Sequence, residues 1–255
     1  MRNIITIARK EIGAYFASPV AYLLMALFGL VFGFFFYSAT AYFVMQGMRS
    51  QMMGQGGAMS VNDYVIAPML GNASVVGLFL MPLISMRLFA EEKRSGTIEL
   101  LLTSPLSDWE IVLGKWLAAV GLYSIMLLVS VLHMAILFRY GQPDWRPLAV
   151  GYLGLLLQGA CLLAIGTFVS TCTSNQIVAG ALGFAISLLL FVLNWVSEFG
   201  SSITDRVIGY FSVQAHFESF SKGVLDSKDI IFYVTMIILG LFLTSRSLES
   251  VRWRA

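Results

Sequence analysis

Six long apolar runs leave this chain few ways to fold. They cover residues 20–45, 65–86, 111–138, 148–170, 177–199 and 230–245. A helix needs about 20 apolar residues to cross the hydrocarbon core of a bilayer. The sixth run is the shortest at 16 residues, so its helix tilts little or extends past the run. The runs are continuous and do not alternate in short segments, which excludes a transmembrane β-barrel. The expected fold is an all-α integral membrane protein with six transmembrane helices, a single transmembrane domain over 1–255. Composition agrees: 58% of residues are hydrophobic and 12% charged, against about a quarter charged in a soluble domain.

The remaining charge is informative by its placement. Net charge is +2, which gives no electrostatic support for nucleic-acid binding. If the N-terminus faces the cytoplasm, the inner segments carry ten Lys and Arg and the outer segments six. Basic residues mark the cytoplasmic side, so both termini are expected there. Cys161 and Cys172 lie in and at the end of one apolar run and suggest neither disulfide, metal site nor redox motif. Ala39-Thr40-Ala41 has the look of a cleavage box, but the run before it is too long for a signal peptide.

Between the runs, three segments have character of their own. Ile4, Ile5, Ala8, Ile12, Tyr15 and Phe16 recur at helical spacing, opposite Arg9, Lys10 and Glu11, so 1–19 reads as an amphipathic helix in the membrane interface. Residues 46–63 are rich in Gly, Gln and Met and read as a flexible outer loop. The cluster Met45, Met48, Met52, Met53 and Met59 offers soft thioethers of the kind that suit Cu(I), but its irregular spacing fits an apolar loop better. Residues 200–229 mix aromatic and aliphatic side chains with Ser, Gly and Lys. They are too apolar for a solvated loop and too broken to span, and fit short helices dipping into the outer leaflet under a cover of protein. In the first run, Ala26, Gly29 and Gly33 make a small-residue stripe that lets another helix approach closely, a candidate dimer contact. Gly180 and Gly183 do the same in the fifth.

The largest charged island is 87–115, with four basic and five acidic residues. Glu91, Glu92, Lys93 and Arg94 make a helix end held in water, and Ser95-Gly96 breaks it. Thr97 is placed to cap a short helix over 98–104, with Glu99 near its positive end and Pro105 as its stop. Ile98, Leu101 and Leu102 share one side of that helix. Ser107 and Glu110 have capping-box spacing and launch the third span, with Trp109 and Trp116 as interfacial anchors. The result is a cytoplasmic knob over 87–110 whose apolar side rests on the membrane surface or on another protein.

The run Arg87-Leu88-Phe89-Ala90-Glu91-Glu92-Lys93-Arg94-Ser95-Gly96-Thr97-Ile98-Glu99-Leu100-Leu101-Leu102, with Thr103-Ser104-Pro105-Leu106 and Leu113-Gly114-Lys115, resembles the first cytoplasmic loop of the ABC-2 family of ABC transporter permeases. Within that family the chain is similar to gliding-motility-associated permease subunits. The likeness extends to Ser18-Pro19-Val20-Ala21-Tyr22-Leu23, Ser174-Asn175-Gln176-Ile177-Val178-Ala179 and Ser221-Lys222-Gly223-Val224-Leu225-Asp226-Ser227-Lys228-Asp229. The resemblance implies an exporter in a bacterial inner membrane, built from two permease and two ATPase chains. It makes 97–104 the coupling helix docked in an ATPase cleft, with Glu91, Glu92, Lys93, Arg94, Gly96, Thr97, Glu99, Leu100 and Leu101 as coupling residues. It makes 1–19 a connecting helix, 171–176 a second, smaller contact, and 200–229 re-entrant outer helices. It implies no cofactor in this chain, ATP and Mg²⁺ in the partner ATPase, and a second permease that is either identical or an auxiliary membrane subunit with a large outer domain.

The residues themselves agree on one negative: the sequence has no G-x-x-x-x-G-K-[ST] phosphate loop. Three rival readings are weighed. An ion-coupled carrier needs ionisable groups at mid-membrane, and the middles of the six runs lack Asp, Glu, Lys and Arg; His133, Asn194 and Glu198 lie toward outer ends. An intramembrane enzyme lacks support, since His133 and His216 are far apart and no G-x-S-x-G elbow occurs. A non-transporting scaffold or mechanical transducer needs the same docking knob as an exporter.

Overall fold

Helices of 16 to 34 residues dominate the chain because its apolar runs leave every backbone group to be satisfied within its own segment. The structure, a computed structural model, describes residues 2–53, 60–199 and 203–252, apart from the side chains of 102, 196–199 and 203–206. In chain order the helices are α1 (Arg2–Ala17), α2 (Pro19–Met52), α3 (Ala67–Ser85), α4 (Ala90–Ser95), α5 (Ile98–Leu102), α6 (Asp108–Tyr140), α7 (Trp145–Cys172), α8 (Gln176–Phe199), α9 (Ile203–Tyr210), α10 (Val213–Ser221) and α11 (Ser227–Arg252). Among the described residues there is no strand, and six helical segments are long and apolar enough to cross a membrane.

The boundaries differ from the sequence reading where polar residues continue a helix. The short sixth run belongs to a 26-residue helix, α11, because Ser, Arg and Glu after 245 are carried on helical backbone to Arg252. The first run likewise extends to Met52 in place of the expected loop from 46, since Gln, Met and Arg are good helix formers. A π-helical turn, Asn62–Ile66, leads into α3. Ser18 caps α2 through Val20 N–H, and Pro19 sits where its missing N–H costs nothing.

α7 is the hub of the bundle, packed against α11, α3, α10, α8 and α6. α1 is not simply laid on lipid: it runs along α6, with Asn3 bonded to Glu110, Ile7 on Gly114 and Ile12 on Gly121. At Gly114 a Cβ would stand 2.7 Å from Ile7, so glycine sets this close approach. Ile5, part of the apolar face expected in the membrane interface, is exposed, and Ile7 packs against the core. The two ends of the chain meet at the start of α6, where Arg252 pairs with Asp108 at 2.9 Å.

At the opposite end, α9 packs on α8 and α10 folds onto α7, α3 and α11. Gly223 lies on Pro147 and Phe220 on Gly151 and Gly154, near the start of α7. Gln214, earlier in α10, accepts a hydrogen bond from Ser74, which accepts one from Gln158 at the middle of α7. The start of α10 therefore lies deeper in the bundle than its end. Residues 200–202 of the segment expected to dip into the membrane lie outside the described residues, as does Met59 of the methionine cluster. Met45, Met48, Met52 and Met53 are exposed on the end of α2.

Candidate functional site

The loop between α3 and α6 is a hook with one braced arm and one bare tip. Pro82 lies inside α3, and the helix ends soon after it, at Ser85. The backbone freed at the break is held by Ser170 of α7: its hydroxyl donates to Met86 C=O and accepts from the N–H groups of Phe89 and Ala90. Leu88, Phe89 and Ala90 are buried there, so the arm of the hook is anchored by apolar packing as well. Gly96 then turns the chain with φ +72°, a conformation that favours glycine. α5 is only five residues long, and the capping box Ser107–Glu110 starts α6 as the spacing predicts.

One cap fails. Thr97 has helical backbone angles and makes no capping bond to α5. The turn at Gly96 brings its hydroxyl back over α4 instead, 2.8 Å from Ser95 Oγ and 3.5 Å from Glu92 C=O.

The brace centres on Lys115 of α6, whose side chain is 1% exposed. Its ammonium lies 2.9 Å from Glu11 of α1 and 2.8 Å from Glu92 of α4, and 5.3 Å from the centre of the Phe89 ring. A buried ammonium is tolerated only when paired and hydrogen-bonded, and here two carboxylates and an aromatic face surround it. Three elements distant in sequence are thereby tied at one atom. Glu92 keeps a second carboxylate oxygen, Oε2, that is buried without a partner among the described residues. Alongside, Tyr15 donates to Ile84 C=O at 2.9 Å, and the Arg87 guanidinium lies over its ring. Burial raises the Tyr15 phenol above its ordinary range, so it stays a neutral donor. Lys93 reaches the C=O of Thr171, tying the hook to the end of α7.

The nine residues expected to couple to a partner thus separate by direction. Glu92 and Lys93 point inward to Lys115 and Thr171, and Glu91 is held by Arg87 at 3.1 Å. Leu101 packs against the chain's own core, and Ile98 is buried beside it. Arg94, Gly96, Thr97, Glu99 and Leu100 remain exposed at the tip, Leu100 at 73%. The side chain of Leu102, placed with Ile98 and Leu101 from the sequence, is outside the described residues. Among the described side chains of α5, Ile98 and Leu101 are used within the chain and the exposed apolar group is Leu100. Lys115, Glu11 and Ser170 carry the brace and were not among the coupling residues expected from the sequence.

The small-residue stripe also turns inward. A Cβ on Gly29 would meet Val129 at 3.5 Å and one on Gly33 would meet His133 at 3.1 Å, both on α6 of the same chain. Both glycines thus have α6 of the same chain as a neighbour, and Ala26 alone of the three is exposed. Gly180 and Gly183 likewise face Met86 and Pro82. Among the described residues no group of three His, Cys, Asp or Glu could hold a metal ion.

A family model described as "ABC-2 family transporter protein" matches residues 5–244. The chain is 27% identical over 114 residues to "Probable multidrug ABC transporter permease YbhR" of Escherichia coli (strain K12), covering 44% of this chain and 29% of that protein. It is 26% identical over 200 residues to "ABC transporter permease protein NatB" of Bacillus subtilis (strain 168), covering 71% of this chain and 51% of that protein. The matches thus span about half or less of the length of these relatives.

Proposed function

Because the chain belongs to the ABC-2 transporter family, we propose that it is the permease subunit of an ATP-driven exporter and that a separate ABC ATPase docks on the tip of the hook. The observation that carries this reading is the division of the hook into a braced arm and a bare tip. A segment that transmits force must be fixed to the membrane helices and free toward its partner. Lys115, Glu92, Ser170 and Lys93 supply the fixing, and Arg94, Gly96, Thr97, Glu99 and Leu100 supply the free surface.

In this reading ATP and Mg²⁺ are held by the ATPase. The hook end, with both chain termini, faces the cytoplasm of a bacterial inner membrane, in keeping with the basic residues around it. A second permease, identical or an auxiliary subunit with a large outer domain, completes the membrane core. α9 and α10 form a re-entrant hairpin on the outer side, supported by the depth of Gln214 against Ser74 and Gln158. Span interiors without Asp, Glu, Lys or Arg suit an amphipathic cargo better than an ion. ATP hydrolysis biases the bundle only through contacts that differ between two states, and α1, α4 and α6, joined at Lys115, are placed to move together.

A photo-crosslinking residue at Leu100, in membranes that also contain an ABC ATPase that co-purifies with this chain, is the test. Capture of the ATPase from Leu100, with none from Tyr140 at the opposite end, is the expected result. No capture from Leu100 under conditions where the two proteins co-purify would move the docking site elsewhere.

A further inference from the structure

We propose that a cavity between the start of α6 and the end of α11 binds one phospholipid with a phosphoethanolamine headgroup. The cavity measures about 360 Å³, and its walls include Asp108, Trp109, Phe242, Arg246, Glu249 and Arg252. Both helices are long and apolar enough to cross the membrane, and the cavity lies where the two spans end on the same side. Trp109 is exposed there, at the depth where aromatic side chains mark a bilayer surface. Docking of the hook uses none of these six residues.

The order of chemistry along α11 matches the order of parts in such a lipid. Ile238 and Leu239 are exposed one turn before Phe242 and share its face. Phe242, Arg246 and Glu249 then follow on that face, each step about one helical turn, roughly 5 Å, nearer the water. A phospholipid runs outward from acyl chains through glycerol to phosphate and, two carbons on, the amine. Acyl chains along Ile238 and Leu239, glycerol against the Phe242 and Trp109 rings, phosphate on Arg246 and amine on Glu249 put each part at its own depth. A guanidinium binds phosphate with two parallel N–H donors, and basic pockets between membrane helices on one face are where lipid headgroups are held.

Charge selects the headgroup. Arg246 pairs with Glu249 at 2.6 Å and Arg252 with Asp108 at 2.9 Å, so the lining balances two guanidiniums with two carboxylates. Ion pairs as exposed as Arg246–Glu249 contribute little, and a zwitterion can exchange them, its phosphate taking Arg246 and its ammonium taking Glu249. Asp108 adds an independent sign. Its Oδ1 is buried, and although it lies 2.9 Å from Arg252 it accepts no aligned hydrogen bond among the described residues. A buried carboxylate oxygen needs a donor, and a primary ammonium brings three N–H groups. A choline headgroup has no N–H to give, and a glycerol headgroup brings net negative charge to the two carboxylates with no cation to meet them. Residues 253–255, which follow Arg252, lie outside the described residues.

Native mass spectrometry of the chain alone tests this, with no ATPase present, so a failure here is distinct from a failure of docking. The chain is titrated with phosphatidylethanolamine, phosphatidylcholine and phosphatidylglycerol of identical acyl chains. The ethanolamine lipid should bind about tenfold tighter than either of the others, the worth of one charge-assisted hydrogen bond. Glu249→Gln should bring the ethanolamine and choline lipids to within about twofold of each other, and Arg246→Gln should weaken both. In nanodiscs, hydrogen exchange of the amides of 245–252 should slow by about twofold or more when ethanolamine lipid replaces choline lipid, and Glu249→Gln should abolish the difference. Equal affinity for the three lipids, or a preference that survives Glu249→Gln, would overturn the proposal. Full competition by soluble glycerophosphoethanolamine would overturn the lipid as the occupant, since that molecule lacks the chains. If a variant does not fold, the exchange difference in the native chain decides, its presence at 245–252 supporting the site and its absence overturning it.

Discussion

The two ends of this bundle are each tied by a buried cluster of ionisable side chains, and the clusters differ in reach. At the hook end, Lys115 holds Glu11 and Glu92 from two other helices. Three elements distant in sequence, α1, α4 and α6, meet at that one ammonium. At the far end, His216 of α10 and Asp229 of α11 meet at 2.7 Å and join two consecutive helices. One cluster gathers distant elements of the chain at one atom, and the other closes a short connection between neighbours.

The sharpest way to break the comparison is Lys115→Met. It leaves two partly buried carboxylates without their cation, and the expected loss is about 3 kcal/mol, seen as a lower Tm in detergent. Protection of the α10 amides should change little, because that end has its own tie. Gly114→Leu attacks the same end by crowding Ile7 and should cost about 1–3 kcal/mol, with a lower Tm and weaker contact between α1 and α6 in cysteine crosslinking. Ser107→Ala removes a cap at the foot of the hook and should cost about 1 kcal/mol in the same melting experiment. Leu100→Asp is a surface change and should shift stability by less than about 0.5 kcal/mol, while weakening ATPase association. Glu92→Ala should behave as a brace variant and lower Tm, since Glu92 faces Lys115 and not the solvent at the tip.

What sequence could show was whatever is local. The spans follow from run length, the Ser107–Glu110 box from its three-residue spacing, and the break at Gly96 from a residue free to take positive φ. What it missed depends on partners far along the chain. Lys115 counts in the sequence as one more inner basic residue; only packing brings it to Glu11, 104 residues away. The polar groups of α4 read as a solvated face, yet the break after α3 rotates Glu92 and Lys93 toward α6 and α7. Gly29 and Gly33 have Val129 and His133 of α6 as neighbours, a pairing that periodicity alone does not name. His216 and Asp229 stand 13 residues apart on two helices whose mutual fold no local pattern encodes.

The most direct measurement compares Leu100→Asp with the native chain for affinity toward a co-purifying ABC ATPase in nanodiscs, with Tm recorded on the same samples. The expected result is at least a tenfold weaker affinity at unchanged Tm, because the tip is a docking surface and not part of the fold. Native affinity in Leu100→Asp, with the ATPase still bound to the permease, would contradict a docking surface on the tip of the hook.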